Sequence, residues 1–588
     1  MNTNISNELL QGDKINALES ALIQNKISRR GFIKLAVALG VSMAAAKLTA
    51  KSLGDAAITQ LYNAKNLKDS YDYIVVGSGS AGAVVASRLA EESNASVLVL
   101  EAGGTDQVDA VINPLMWGSN IMSERDWKYM AQPSKHVNGR SLILPMGKVV
   151  GGGSSINASI WARGHENDFN FWADETGDDA WGYENVLSIY RRIENWQGEA
   201  DSNRRGKGGR LWVTPAKNPN PIAPAMLKAA AATAGIPTYS DTNGAMMEGK
   251  GGAALTNLRI KDGRRQSIAS DYLYGALKKP NITLLTGATV LNLELKGTTV
   301  SGLVFEKEGK KHTVNANKRV ILSAGAINTP RILMQSGIGR SQDLEKVGIK
   351  PVHDLQGVGQ NFQDHVLAGG CIWEYKKPLP PQYSGAEAAL FWKSNSALDT
   401  PDLQPTQAEF PYASEVTGKD YKVPPGSWSI AVGLVRPLST GEIKLTSSDP
   451  QAPLNIDGGF LKESADVDAL VRGIELSREL GNSAEMSEFA KKEVMPGPLN
   501  KADMVNFARN ATGTYFHQSC TCKMGKDSMS VVDNKLSVYG IENLSIADAS
   551  VMPRISTGNT MAPTVIIGER MADILLGKTE KSFFDFFS

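Results

Sequence analysis

Residues 71–104, YDYIVVGSGSAGAVVASRLAEESNASVLVLEAGG, decide how the rest of this chain must be arranged. Tyr73–Val76 is a short apolar run of the kind a strand buried on both faces needs. Gly77-Ser78-Gly79-Ser80-Ala81-Gly82 follows at once. Gly77 permits a tight turn, Gly79 leaves room for a pyrophosphate against the backbone, and Gly82 lets a helix pack close to the strand. Gly77, Gly79, Ser80, Ala81 and Gly82, with Glu101 below, are the candidate cofactor-binding residues, and the helix after the turn runs to about Glu92 with Val84, Val85 and Leu89 facing the sheet. Its N-terminus offers free N–H groups and a positive dipole end to the phosphates. A second strand, Val97–Leu100, ends in Glu101, nineteen residues beyond Gly82, where a ribose 2′-hydroxyl is usually held. A carboxylate there argues against a 2′-phosphate, hence against NADP. The stretch alone leaves NAD and FAD open.

The chain has 588 residues, too many for one ordinary core, and two intertwined domains are expected. Its composition, 42% apolar and 21% charged, is that of a globular protein, and 62 basic against 61 acidic residues leave no stripe suited to nucleic acid. Three cysteines cannot build a disulfide framework. Near the N-terminus, Ser28-Arg29-Arg30-Gly31-Phe32-Ile33-Lys34 precedes the short apolar run LAVALGVSMAAA. Paired arginines ahead of such a run resemble a twin-arginine export signal, ending near Ala44–Ala46 or Ala50. The alternative is an amphipathic N-terminal helix. Residues 1–46 are accordingly expected to be a signal peptide, 47–70 a polar linker, and the mature protein to be periplasmic or otherwise exported. The last eight residues, KSFFDFFS, read as a tail packed on the body or docking to a partner or membrane.

A second glycine-rich stretch, Gly147-Lys148-Val149-Val150-Gly151-Gly152-Gly153-Ser154-Ser155-Ile156-Asn157, has open backbone N–H groups and hydroxyls suited to a flat ring or a phosphate. Together with the first stretch it resembles the glucose–methanol–choline (GMC) oxidoreductases, whose cofactor is FAD. Gly147 through Asn170 resembles that family's first signature and Gly325 through Gly339 its second; Gly357 through His365 is a further family stretch. The resemblance covers roughly 70–580. It implies an α/β (α+β) fold, a Rossmann-like FAD-binding domain with an intertwined antiparallel-sheet substrate-binding domain. The boundaries it suggests are 71–340 for the FAD domain with substrate-domain insertions, 341–500 mainly for the substrate domain, 501–580 for a return to the FAD domain, and 581–588 for the tail. Within 341–500 the stretch 400–427 reads as loop and 464–480 as helix. It also implies that Gly152, Gly153, Ser154 and Asn157 lie near the flavin or pyrophosphate, that the Val290 backbone holds adenine, and that Asp548 and Ala549 belong to a flavin-contacting loop. Some members bind FAD covalently through a histidine; Ile156 stands at that position, which implies non-covalent FAD.

The six histidines are at 136, 165, 312, 353, 365 and 517. His517 lies in Thr514-Tyr515-Phe516-His517-Gln518-Ser519-Cys520-Thr521-Cys522-Lys523-Met524-Gly525, which resembles the family stretch whose histidine faces the flavin; Gln518 replaces a commoner proline and Cys520 a commoner glycine. Its implied partner is Asn559, followed by Thr560 and by a helix expected after Pro563 whose positive end faces the flavin. Neutral His517 would take the hydroxyl proton as general base while Asn559 holds the same oxygen and hydride passes to flavin N5. His517, Cys520 and Cys522 have no evident fourth partner, so no metal is expected. The expected activity is oxidation of the CH–OH group of an alcohol, polyol or sugar, with a quinone, a cytochrome or O2 as electron acceptor. Two alternatives stand beside it: non-redox or light-driven chemistry of the hydroxynitrile lyase or fatty-acid photodecarboxylase type, and a flavin-binding subunit that mainly serves a complex. Oxidase and dehydrogenase are both open, and an exported location favours a quinone or cytochrome.

Overall fold

The computed structural model describes residues 28–39 and 41–578, together with Leu18 and Leu22; the Phe-rich tail lies outside the described residues. Ser28 caps a helix over Arg29–Ala38, its hydroxyl accepting from the Gly31 amide at 3.0 Å. Phe32 and Ala36 are buried against Leu22. The expected polar linker is instead mostly helix, Met43–Lys65, capped by Ser42. The stretch MAAAKLTAKSLGDAAITQLYNAK is rich in alanine, the strongest helix former, and this outweighs its scattered polar residues. The helix docks through Gln60, which donates to the carbonyls of Leu277 (3.2 Å) and Ile282 (2.7 Å). Among the described residues no helix is long and apolar enough to cross a membrane.

Two seven-stranded sheets organise the body. In the first, the strands run in the order Ile282–Thr286, Val97–Glu101, Ser70–Val76, Lys310–Leu322, Thr299–Lys307, Thr289–Lys296, with Leu544–Ile546 also pairing Lys310–Leu322. The pairs among the first four are parallel, and Leu544–Ile546 joins parallel as well. The hairpin strands 289–322 are antiparallel. The expected strand–turn–helix–strand is present as Ser70–Val76, Ser80–Glu92 and Val97–Glu101, with Val84, Val85 and Leu89 fully buried. The last described helix, Met561–Leu575, lies against the Ser80–Glu92 helix; a Cβ on Gly568 would sit 2.9 Å from the Ala81 carbonyl, so the two helices touch through backbone. Arg88 ties them together by pairing with Glu569 (2.8 Å) and Asp573 (2.7 Å).

The second sheet is antiparallel, in the order Ala490–Met495, Val366–Tyr375, Ser427–Leu434, Leu403–Ala408, Ala388–Phe391, Gly252–Leu255, with Thr512–Thr514 pairing Val366–Ala368. Gly252–Leu255 joins this sheet as an insertion from within 71–340, and Thr512–Thr514 extends the sheet past residue 500. Residues 400–427 read as loop in the sequence, but Leu403–Ala408 is a central strand and Glu415–Asp420 a short helix. Pro405 concealed the strand: proline lacks a ladder donor and usually argues against a central position. The helix expected over 464–480 is Ser464–Gly481 and covers one face of the sheet, where Trp373 and Trp428 stack with centroids 4.6 Å apart. A Cβ on Gly481 would lie 2.1 Å from the Trp373 ring, so this cover needs glycine. The other face is left for the site.

Candidate active site

A cavity of about 740 Å³ is lined by residues from both sheets. At one end it meets the first glycine turn. Gly77 has φ +95°, and a Cβ there would fall 2.4 Å from the Ser323 carbonyl. Gly79 faces the second glycine loop so closely that a Cβ on Gly152 (φ +53°) would lie 2.8 Å from the Gly79 Cα. Gly79, Ser80, Ala81, Gly152, Gly153 and Ser154 all line the cavity. Gly82 does not. A Cβ there would fall 2.0 Å from the Gly77 carbonyl, so glycine at this position lets turn and helix pack, as its spacing implies.

Glu101 lines the cavity and is buried. Its Oε2 accepts from the Ser78 amide (3.0 Å) and hydroxyl (2.7 Å), and its Oε1 from the Gly103 amide (2.8 Å). Burial pushes this carboxyl up, against those donors. It braces the turn with its own chain while Oε1, which has one donor, keeps a lone pair for a ribose hydroxyl. Val290, from the Thr289–Lys296 strand, lines the same half. So do Asp548 and Ala549; Asp548 accepts from the Gly325 amide (2.9 Å) and the Thr329 hydroxyl (2.5 Å).

Asn157 joins the second glycine loop to the far helix. Its Nδ2 reaches the Met561 sulfur at 3.2 Å, and its Oδ1 accepts from Arg265 (2.8 Å), a buried guanidinium that the sequence reading missed. The helix begins at Met561 after Thr560, two residues before Pro563, which sits in its first turn. Thr560 and Met561 line the cavity, as Ser80 and Ala81 do, so two helix N-termini converge on it with their positive dipole ends. The glycine cradles, backbone donors and paired helix ends fit an elongated dinucleotide that bears a pyrophosphate and a flat ring.

At the other end lie His517 and Asn559. His517 Nε2 is 3.3 Å from Asn559 Nδ2, whose Oδ1 accepts from Gln404 Nε2 at 3.1 Å. On the other side of the ring, His517 Nδ1 is 2.9 Å from His365 Nδ1. The direction of the amide bonds assigns the protons: Asn559 donates to His517 Nε2, so the His517 proton sits on Nδ1 and is donated to His365. The proton of neutral His365 is then on Nε2. This Nε2 is buried with no hydrogen-bond partner among the described residues. Burial pulls His517 down to about 3, and burial together with its neighbour pulls His365 well below the usual range. Both rings are thus neutral near pH 7.

The turn that carries His517 is clamped by Asp364. This carboxyl accepts from the His517 amide (2.9 Å), Gln518 Nε2 (2.9 Å) and the Thr514 hydroxyl. Burial lifts it to about 7 while these three donors oppose the shift. Phe516 (φ +68°) and Cys520 (φ +73°) are both left-handed, so the backbone is strained on each side of the histidine. The left-handed Cys520 gives a reason for glycine being common at that position. Tyr515 stacks on His517 with centroids 4.8 Å apart. Cys371, Cys520 and Cys522 are free and buried, and among the described residues no three metal-binding side chains gather. The reading of the sequence noted Asp364 and His365 without giving them a role and missed Gln404, which sits on the concealed strand.

This fold and cavity define an FAD-dependent oxidoreductase. The chain belongs to the GMC oxidoreductase family: residues 71–367 match its N-terminal model and 437–568 its C-terminal model. It is 33% identical over 550 residues to an alcohol dehydrogenase (acceptor) of Pseudomonas putida, covering 88% of this chain and 97% of that one. It is 35% identical over 549 residues to the mitochondrial choline dehydrogenase of Mus musculus, covering 87% and 90%. The crystal structure of pyridoxine 4-oxidase from Mesorbium loti superposes with a TM-score of 0.82 at 31% identity, covering 87% of this chain and all of that one.

Proposed function

We propose that this protein oxidises the CH–OH group of a small alcohol, with His517 as general base and Asn559 as the group that positions the alcohol oxygen. The observation that carries the reading is a neutral, buried histidine whose Nε2 meets the Asn559 amide, both residues lining the cavity that holds the glycine cradles. Bound FAD supplies the hydride acceptor. The alcohol hydroxyl displaces the Asn559 Nδ2–H from His517 Nε2 and gives its proton there, while the Nδ1–H stays bonded to His365. Asn559, fixed by Gln404, aligns the oxygen and cannot itself titrate, so the pair has one base. The relatives named above are alcohol and choline dehydrogenases, which favours this reading over lyase or light-driven chemistry.

FAD is held non-covalently in this proposal: Ile156, on the cavity wall beside Asn157, offers no nucleophile for attachment. The protein is exported through the twin-arginine route, supported by the Arg29-Arg30 pair and its short apolar run, and passes electrons to a quinone or cytochrome. Anaerobic addition of alcohols to the FAD-loaded protein tests the reaction: bleaching of the flavin is expected, and no bleaching across a broad alcohol panel, with the flavin still reducible by dithionite, would refute it. Replacing Arg29 and Arg30 by lysines should abolish export; unchanged export would refute the route.

A further inference from the structure

The cavity is chemically divided, and the half that faces the substrate has a composition that selects among alcohols. Three carboxylates line the cavity, and all belong to the parallel-sheet half. Glu101 braces the first glycine turn, Asp548 is held by Gly325 and Thr329, and Glu306 lies on the hairpin, where Gln451 donates to it at 2.9 Å. The antiparallel sheet contributes no charged group to the lining. Its strand Leu403–Ala408 alternates, placing Thr406 and Ala408 on the cavity while Gln407 is left off it. Ala431 pairs with Thr406 across the ladder and also lines the cavity, with Leu367 on the neighbouring strand.

Aromatic rings close the wall. Trp117 packs against Phe410 (6.2 Å, 52°) and Phe516 (6.4 Å, 65°), and Tyr515 lies over His517. The polar atoms here are mostly engaged. The Thr406 hydroxyl meets the Tyr515 hydroxyl at 3.0 Å, and Gln518 Nε2 bonds Asp364. Gln518 Oε1 is buried without a partner and is one acceptor, where a sugar ring would need several. The two carboxyls that flank lining positions on this sheet, Glu387 and Glu409, are not part of the lining. They are bonded by the Asn220 and Gln382 amides (2.6 Å each), and burial lifts them to about 7 and about 8.

We propose that this half takes an uncharged alcohol with an apolar alkyl or aryl body, and rejects quaternary-ammonium alcohols and sugars. The proposal rests on the CH–OH reading above and narrows it, and it departs from the choline dehydrogenases among the relatives. A quaternary ammonium buried here would lose its hydration with no carboxylate to replace it. The faces of Trp117, Phe410 and Phe516 recover part of that loss, less than the desolvation of a whole ion costs. A sugar would lose several hydroxyl–water bonds for one buried acceptor. An alkyl or aryl group loses nothing comparable and gains by burial.

The test compares choline with 3,3-dimethylbutan-1-ol, which has the same shape without the charge, on the FAD-loaded protein. Benzyl alcohol and glucose complete the set. Two readouts are taken for each compound: the anaerobic rate of flavin bleaching, and the dissociation constant from perturbation of the flavin spectrum at times before bleaching. The ratio of reduction rate to dissociation constant should be about a hundredfold or more greater for the uncharged isostere than for choline, with benzyl alcohol also active and glucose inert. If no compound bleaches the flavin but the isostere binds far more tightly than choline, the pocket assignment stands and the oxidation reading falls. Choline oxidised or bound as well as its isostere, or neither compound bound nor oxidised, overturns the proposal.

Discussion

The two ends of the cavity are built from different materials. At the parallel-sheet end the chain presents backbone: glycine turns that no side chain can enter, two helix N-termini, and Glu101 bracing the turn. At the antiparallel-sheet end it presents the side chains of His517 and Asn559, backed by His365 and Gln404, so that four separate segments are joined into one hydrogen-bonded row. A backbone site can be encoded in one contiguous stretch because local conformation alone creates it. A side-chain row needs distant segments to be held in register, here by the pairing of Val366–Ala368 with Thr512–Thr514.

The contrast predicts different ways of failing. The largest effect is expected at the side-chain end. His517→Ala should slow flavin reduction by about 10²–10⁴-fold, the usual worth of a general base, while the purified protein keeps its flavin. Stopped-flow reduction and the ratio of flavin to protein absorbance measure the two, and normal reduction by the alcohol would remove His517 from its role. At the backbone end the pattern reverses. Gly77→Ala forces a Cβ against the Ser323 carbonyl at φ +95° and should lower stability by about 1–3 kcal/mol, with FAD content falling in step. Gly153→Ala meets no atom within 4 Å and should leave the unfolding midpoint unchanged while weakening FAD; full FAD affinity in that variant would mean that Gly153 does not face the cofactor.

A smaller loss is expected from His365→Ala, which leaves the His517 Nδ1–H buried without its acceptor. The cost is about 1–3 kcal/mol, or about 5- to 150-fold in the reduction rate, and His365→Gln should recover part of it by offering an amide oxygen. Rates equal to the parent in both variants would detach His365 from the row. The pH dependence follows from the depressed value of His517. Its base form is the active one and is present at every pH above about 3, so His517 itself should give the reduction rate no inflection from about pH 5 to about pH 9. An inflection near pH 7 that disappears in Asp364→Asn would belong to the clamping carboxyl, lifted to about 7; one that survives in that variant would contradict the burial of His517. The stability carries the same sign: unfolded histidine takes a proton below about pH 6.5 while folded His517 resists until about 3, so this contribution is lost as the pH falls through that window. The smallest effect belongs to Cys520→Gly. It relieves a left-handed residue but removes a buried thiol, and should change stability by no more than about 1 kcal/mol without altering reduction.

The sequence by itself determined the parallel-sheet half. Ser70–Glu101 folds as its glycine spacing requires, because the turn, the helix start and the buried strands are local consequences of residues that adjoin one another. His517 and Asn559 could be singled out through their flanking motifs. Tertiary structure alone decided that they share a row, that His365 supplies the Nδ1 partner, and that Gln404 fixes the amide. Gln404 lies on a strand that Pro405 disguised as loop, and its function appears only when that strand pairs with Ser427–Leu434 and turns its face to the cavity. The same holds for the helix at Met43–Lys65, whose docking through Gln60 depends on an edge strand more than 200 residues away. Local propensity and glycine geometry act over a few residues and can be read from order alone. Proton placement, burial and the lining of the substrate half depend on which distant surfaces meet, and that is settled only by packing.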